Sequence, residues 1–195
     1  MVIENKRSSV DVKEGVLQNV RNMKPDYIPQ LFKYAQLVIA VNPNKVLYGT
    51  SGTGPDYFVE WREQENDWQE NLCKKCLPGK QIIAQDRATA SLLDKGRLLE
   101  LIQSFILYDN NVKKVARHQQ YFAVKHAMAR IKGEDGQDTR SGVIWHTQGS
   151  GKSITMVLLV KKIILDKSIV NPRFLIVTDR INLDKIGRAS CRERV

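Results

Sequence analysis

The feature that most constrains this chain is a succession of apolar stretch, glycine-bent loop and apolar helix over residues 143–166. Residues 143–146 read as a short strand and 152–166 as a helix. The loop between them runs His146-Thr147-Gln148-Gly149-Ser150-Gly151-Lys152-Ser153. Gly151, Lys152 and Ser153 match the end of the phosphate-loop pattern G-x-x-x-x-G-K-[ST], and His146 stands where the first glycine would be. Gly149 and Gly151 supply the tight backbone, so that successive N–H groups can wrap phosphate oxygens at a helix N-terminus. Lys152 would reach the β- and γ-phosphates, and the Ser153 hydroxyl would ligate Mg²⁺. A short proline-containing loop then leads to a second buried strand over 173–178. Strand, helix and strand in that order predict an α/β fold with a parallel sheet. Asp179 and Arg180 follow the second strand, at the end where such sheets bind ligands.

Composition narrows the class. The 195 residues are 42% hydrophobic and 27% charged, which excludes wholesale disorder. No apolar run is long enough to span a membrane, and the N-terminus carries no secretory signal. Three cysteines are too few and odd in number for a disulfide framework, so a cytoplasmic chain is the default expectation. A net charge of +10 suits a polyanionic partner such as nucleic acid, and equally a merely basic surface. The last ten residues, 186–195, match the in-frame translation of a common short-read sequencing adapter. Treated as read-through, they are excluded from the fold. That takes the net charge from +10 to +8, because they hold three Arg and one Glu. Both ends lead us to expect an internal piece of a longer protein.

Along the rest of the chain, residues 1–5 read as a buried strand and 11–23 as a helix ended by Pro25. A short helix over 28–34 and strands over 36–41 and 45–50 follow. Residues 49–54 are a plain loop, and 57–61 are apolar but of uncertain type. Short bridging helices are expected within 63–95, an apolar helix over 98–107 and a second helix over about 112–131. Lys113, Lys114, Arg117, Lys125, Arg130 and Lys132 around that helix read as a solvated face. Cys73 and Cys76 form a lone C-x-x-C and read as ordinary reduced thiols.

The run Trp145 to Ser153, continued by Thr155-Met156, resembles motif I of the restriction subunit of type I restriction-modification enzymes. That subunit is a DNA-translocating ATPase of helicase superfamily 2 with a nuclease fused upstream. Val177-Thr178-Asp179-Arg180 with Leu183-Asp184 resembles the family's motif Ia, which implies that Asp179 and Arg180 face DNA. Arg117 to Val124 resembles the adenine-sensing segment. An amide can accept from adenine N6 and donate to N7, which makes Gln120 the candidate and Gln119 the fallback. The resemblance implies ATP and Mg²⁺ as cofactors, with Thr147, Gln148, Gly149, Ser150, Gly151, Lys152 and Ser153 forming the nucleotide site. It implies double-stranded DNA, a methylating modification subunit and a specificity subunit as partners.

Glu4-Asn5-Lys6 at the end of a strand, followed by a helix, resembles the second half of a PD-(D/E)-x-K nuclease site. Period-two alternation puts Glu4 and Lys6 on one face. There Glu4 would hold Mg²⁺, and Lys6 would orient the attacking water and stabilise the phosphorane. In the restriction family a Gln-x-x-x-Tyr element follows. Gln18 fits it, but Asn22 stands where the tyrosine would be.

The expected organisation is the remainder of a nuclease domain with bridging helices over 1–95. The N-terminal part of a RecA-like ATPase domain follows over 96–185. The expected function is that of an ATP-dependent, DNA-translocating endonuclease subunit. By itself the chain should be inactive, since it shows no Asp-Glu box and no arginine fingers of a second motor domain. The alternatives are a superfamily 2 translocase or helicase without nuclease activity, and a non-catalytic basic DNA-binding piece.

Overall fold

The computed structural model describes residues 1–63, 66–136 and 138–177. They fall into two units, Met1–His118 and the part that begins at Gln119.

The first unit is built on a four-stranded sheet in the order β1-β2-β3-β4. Strand β1 (Val2–Asn5) runs parallel to β2 (Val38–Asn42), with Glu4 opposite Ala40. Strands β3 (Lys45–Gly49) and β4 (Val59–Glu60) continue the sheet antiparallel. The run Val38-Ile39-Ala40-Val41 is buried on both faces, as a central strand requires. The expectation of a buried strand at residues 1–5 is corrected. As the edge strand, β1 alternates, and Ile3 is 43% exposed.

Helix α1 (Val12–Asn22) starts at Asp11, whose carboxylate accepts from the Lys13 N–H at 2.9 Å. Its Val12 and Val16 pack with Phe32 of α2 (Pro29–Lys33), Ala35, Val38, Ala40 and Phe58. Asn19 is buried but satisfied, donating to the Ile39 carbonyl at 3.2 Å.

Helices α3 (Asp67–Cys76), α4 (Ala84–Leu93) and α5 (Lys95–Ser104) follow the sheet as a three-helix segment. Arg97 fixes it. Its guanidinium faces the rings of Trp61 at 5.5 Å and Trp68 at 4.5 Å, and it forks onto Glu63 at 2.6 and 3.1 Å. Both charges are nearly enclosed, so their planar bidentate match offsets the desolvation.

The helices expected over 98–107 and 112–131 do not form with those bounds: α5 ends at Ser104, and the next helix starts only at His118. Strands β5 (Ile106–Asp109) and β6 (Val112–Val115) form a hairpin between α5 and α6 (His118–Lys132). The hairpin turn is Asn110-Asn111, with φ of 48° and 63°. Asparagine tolerates this left-handed backbone, and two such residues make the tight turn that matches strand twist. The hairpin closes on the main sheet through Tyr48, whose hydroxyl donates to the Ala116 carbonyl at 2.8 Å. Thr50 donates to the Lys113 carbonyl at 2.9 Å. Lys113 is therefore not on a solvated face. It is buried, its ammonium donates to the Ala35 carbonyl at 3.1 Å, and burial lowers its pKa.

The second unit contains α6 and α7 (Lys152–Leu165). The parallel sheet expected around the phosphate loop is not formed among the described residues. Residues 143–146 and 173–177 have no strand assignment, and the remainder of the second expected strand lies outside the described residues. Trp145 is 89% exposed and Leu175 91%. An apolar segment becomes a strand only when a neighbour takes its N–H and C=O groups, and the described residues supply none to these segments.

Candidate functional site

The phosphate loop closes on itself before α7 begins. Ser150 donates its N–H and hydroxyl to the Thr147 carbonyl at 3.3 and 2.7 Å. Gly149 and Gly151 adopt φ of 76° and 84°, a backbone that side-chain-bearing residues resist. Gly151 is the N-cap of α7 and brings no side-chain cap, so the first N–H groups of the helix stay available to an external anion. The Lys152 ammonium folds back over the loop, donating to the His146 carbonyl at 2.9 Å and the Thr147 carbonyl at 3.0 Å. These acceptors are neutral, so anionic oxygens over the loop would compete for the same donor. Thr147, Gln148 and Gly149 are exposed, Ser150 is buried and Ser153 lies half-buried in the first helical turn.

Gln120, on the first turn of α6, reaches this loop. Its buried amide nitrogen donates to the carbonyls of Ser150 at 3.3 Å and Gly151 at 3.1 Å. The approach depends on glycine. A Cβ at Gly151 would lie 2.5 Å from that nitrogen. Gly151→Ala is therefore expected to push the Gln120 amide out and to strain the left-handed backbone by about 1–2 kcal/mol. The check is a lowered melting temperature together with weakened nucleotide binding. An unchanged melt and unchanged binding would count against the coupling.

In the first unit, Glu4 on β1 and Lys6, one residue past its end, project to the same side. The Lys6 ammonium pairs with the Glu4 carboxylate at 3.0 Å and donates to the Gln18 side-chain oxygen of α1 at 2.5 Å. Two residues of the first strand segment and one of α1 thus form one polar cluster. Sequence reading missed Gly15 of α1, which lies over it. The available signal was a glycine inside an otherwise regular amphipathic helix, which costs about 1 kcal/mol relative to alanine. Asp179 and Arg180 lie outside the described residues.

Both sites can be tested against the groups their chemistry implies. The loop fits a nucleoside triphosphate: a bent, uncapped helix start, a cationic donor held only by neutral carbonyls and a hydroxyl one residue beyond it. At the β1 cluster, Glu4 fits one carboxylate ligand of Mg²⁺, an ion that keeps several waters and substrate oxygens in its shell. Among the described residues, no group of three or more His, Cys, Asp or Glu could hold a metal.

Two family models match. The type I restriction enzyme R protein N terminus covers residues 1–57. The SWI2/SNF2 ATPase covers residues 119–192 and begins where the second unit begins. A putative type I restriction enzyme MjaIXP endonuclease subunit of Methanocaldococcus jannaschii is 30% identical over 92% of this chain and 18% of its own length. The putative MjaVIIP endonuclease subunit of the same organism is 32% identical over 88% of this chain and 16% of its own. The HindI endonuclease subunit of Haemophilus influenzae is 30% identical over 82% and 15%. The chain thus spans less than a fifth of the length of these relatives. No helix among the described residues is long and apolar enough to cross a membrane. The ATPase match and the restriction relatives point to nucleotide and metal use in general. With an R-protein N-terminal match leading into an ATPase match, and endonuclease-subunit relatives aligned across both, the chain belongs to the family of type I restriction enzyme R proteins.

Proposed function

We propose that this chain is a stretch of the ATP-dependent, DNA-translocating endonuclease subunit of a type I restriction enzyme, working in the cytoplasm. One observation carries the reading. A Glu4–Lys6 pair at the end of β1, bridged to Gln18, and a glycine-bent loop delivering Lys152 to a helix start occur in one chain. In this reading residues 1–95 are nuclease domain and bridging helices, and 96–185 begin a RecA-like ATPase domain. The partners are double-stranded DNA, a modification subunit and a specificity subunit.

ATP with Mg²⁺ supplies the free energy for pulling DNA. The N–H groups of Gln148, Gly149, Gly151, Lys152 and Ser153 would donate to phosphate oxygens, joined by that of Ser150 once it leaves the Thr147 carbonyl. Lys152 leaves the His146 and Thr147 carbonyls to do the same, and Ser153 offers its hydroxyl as a metal ligand. Gln120 couples the base to the loop. Its amide nitrogen holds the Ser150 and Gly151 carbonyls, and its amide oxygen is the acceptor we assign to the adenine N6 amine. Asp179 and Arg180 contact the DNA. At the other site Glu4 holds Mg²⁺. Lys6, fixed between Glu4 and Gln18, orients a water and stabilises charge developing on the scissile phosphate.

The test is DNA cleavage by the full-length subunit assembled with its modification and specificity subunits. Cleavage that requires both ATP and Mg²⁺ is the expected result. ATP hydrolysis with no cleavage would favour a translocase without nuclease activity, and cleavage independent of ATP would remove the motor from the reading.

A further inference from the structure

We infer that Gly15 is a positioning residue of the Glu4–Lys6 site, and that the missing side chain at this point of α1 is what leaves room for the carboxylate and the amine on one side of the first strand segment. The inference rests on the nuclease reading above. Gly15 is buried under the helix. A Cβ there would stand 3.2 Å from the Ala40 Cβ, a tight approach, and 3.4 Å from both the Glu4 and the Lys6 Cγ atoms, the near limit of ordinary contact, so that anything larger than a methyl would meet both side chains. Ala40 is the register partner of Glu4, so the glycine lies directly over the Glu4–Ala40 pair. Lys6 reaches across the same spot to Gln18, one helical turn beyond Gly15.

Backbone conformation does not call for glycine here, because Gly15 is not among the positive-φ glycines. Helix propensity argues against it by about 1 kcal/mol. Space is the remaining physical reason, and it has two parts. The Ala40 contact concerns how closely α1 packs on the sheet. The Glu4 and Lys6 contacts concern the site itself.

The experiment separates these parts in the full-length subunit assembled with its partner subunits. Three properties are read: the Mg²⁺ concentration for half-maximal cleavage, DNA-stimulated ATP hydrolysis, and the rate of Lys6 acetylation without metal, followed by mass spectrometry. Gly15→Ala is expected to raise the Mg²⁺ requirement and to speed Lys6 acetylation by a small measurable factor, because its methyl brings both side chains to the limit of contact. Gly15→Val is expected to slow cleavage about 100-fold, the cost of a misplaced catalytic group, with ATP hydrolysis unchanged. Adding Ala40→Gly to Gly15→Ala relieves only the helix–sheet contact, so the raised Mg²⁺ requirement should persist. If the double variant returns to the parent's values, Gly15 serves packing alone and the inference is overturned. Parent-like Mg²⁺ dependence and acetylation in Gly15→Ala overturn it too, and this milder variant decides the matter if Gly15→Val fails to fold. Glu4→Gln is the separate control. Undiminished cleavage there would sink the nuclease reading itself, whereas lost cleavage with a parent-like Gly15→Ala would sink only the role of Gly15.

Discussion

Lys152→Ala is expected to cut DNA-stimulated ATP hydrolysis by the full-length subunit at least about 100-fold, the scale on which removing one preorganised donor lowers a rate. In the structure the ammonium donates to two neutral carbonyls of its own loop, at 2.9 and 3.0 Å. Phosphate oxygens are stronger acceptors for that cation, and no other side chain of the loop from His146 to Ser153 carries a fixed positive charge. Alanine keeps the bent backbone and the uncapped helix start, so weak nucleotide binding should survive the loss of turnover. Lys152 is exposed, and its replacement should shift stability by no more than about 0.5 kcal/mol. The measurement is the hydrolysis rate with DNA present, alongside a thermal melt. Parent-like hydrolysis would disprove the assignment of this loop.

Lys6→Ala is expected to abolish DNA cleavage, by at least about 100-fold, while ATP hydrolysis continues. The substitution removes the one cation of the β1 cluster and releases both Glu4 and Gln18. Lys6→Arg should not restore cleavage, since a planar fork does not replace a compact ammonium in so small a space. The side chains of Lys6 and Glu4 retain 20% and 24% exposure, so losing the pair should cost no more than about 1 kcal/mol of stability. Cleavage assays on circular DNA, run beside ATPase assays on the same preparation, decide the point. Intact cleavage in Lys6→Ala would exclude this cluster as the nuclease site.

The two sites differ in how far sequence exposes them. The phosphate loop is a contiguous segment, so its glycines, lysine and serine appear together as a pattern, and the left-handed φ at Gly149 and Gly151 follows from residue type. The β1 cluster joins residues 4, 6 and 18, and period-two alternation makes the first two legible as a pair. That Lys6 ends on Gln18 depends on where α1 crosses the sheet. The grip of Gln120 on two loop carbonyls is likewise set by packing. Residue chemistry makes it an amide able to read a base and leaves its partners open.

The hairpin β5–β6 shows the converse error. The apolar stripe around Leu98 to Leu107 suits a helix, yet the helix ends at Ser104 and the end of the stripe pairs as β5 with β6 across the Asn110-Asn111 turn. A local turn signal outweighed helical periodicity because two asparagines accept a backbone that few residues tolerate.

By itself, then, the sequence determined the glycine-bent loop before α7, the placing of Glu4 and Lys6 on one side, the central apolar strand β2 and the family, since each is written in adjacent or regularly spaced residues. Only the tertiary structure decided that β1 is an edge strand, that Lys113 is buried, that residues 143–146 and 173–177 pair with no described neighbour, and that Gly15 lies over Glu4 and Lys6. The physical reason is common to all four. Burial, ladder pairing and close approach are properties of two surfaces meeting, and one segment's residues specify only its own side of the contact.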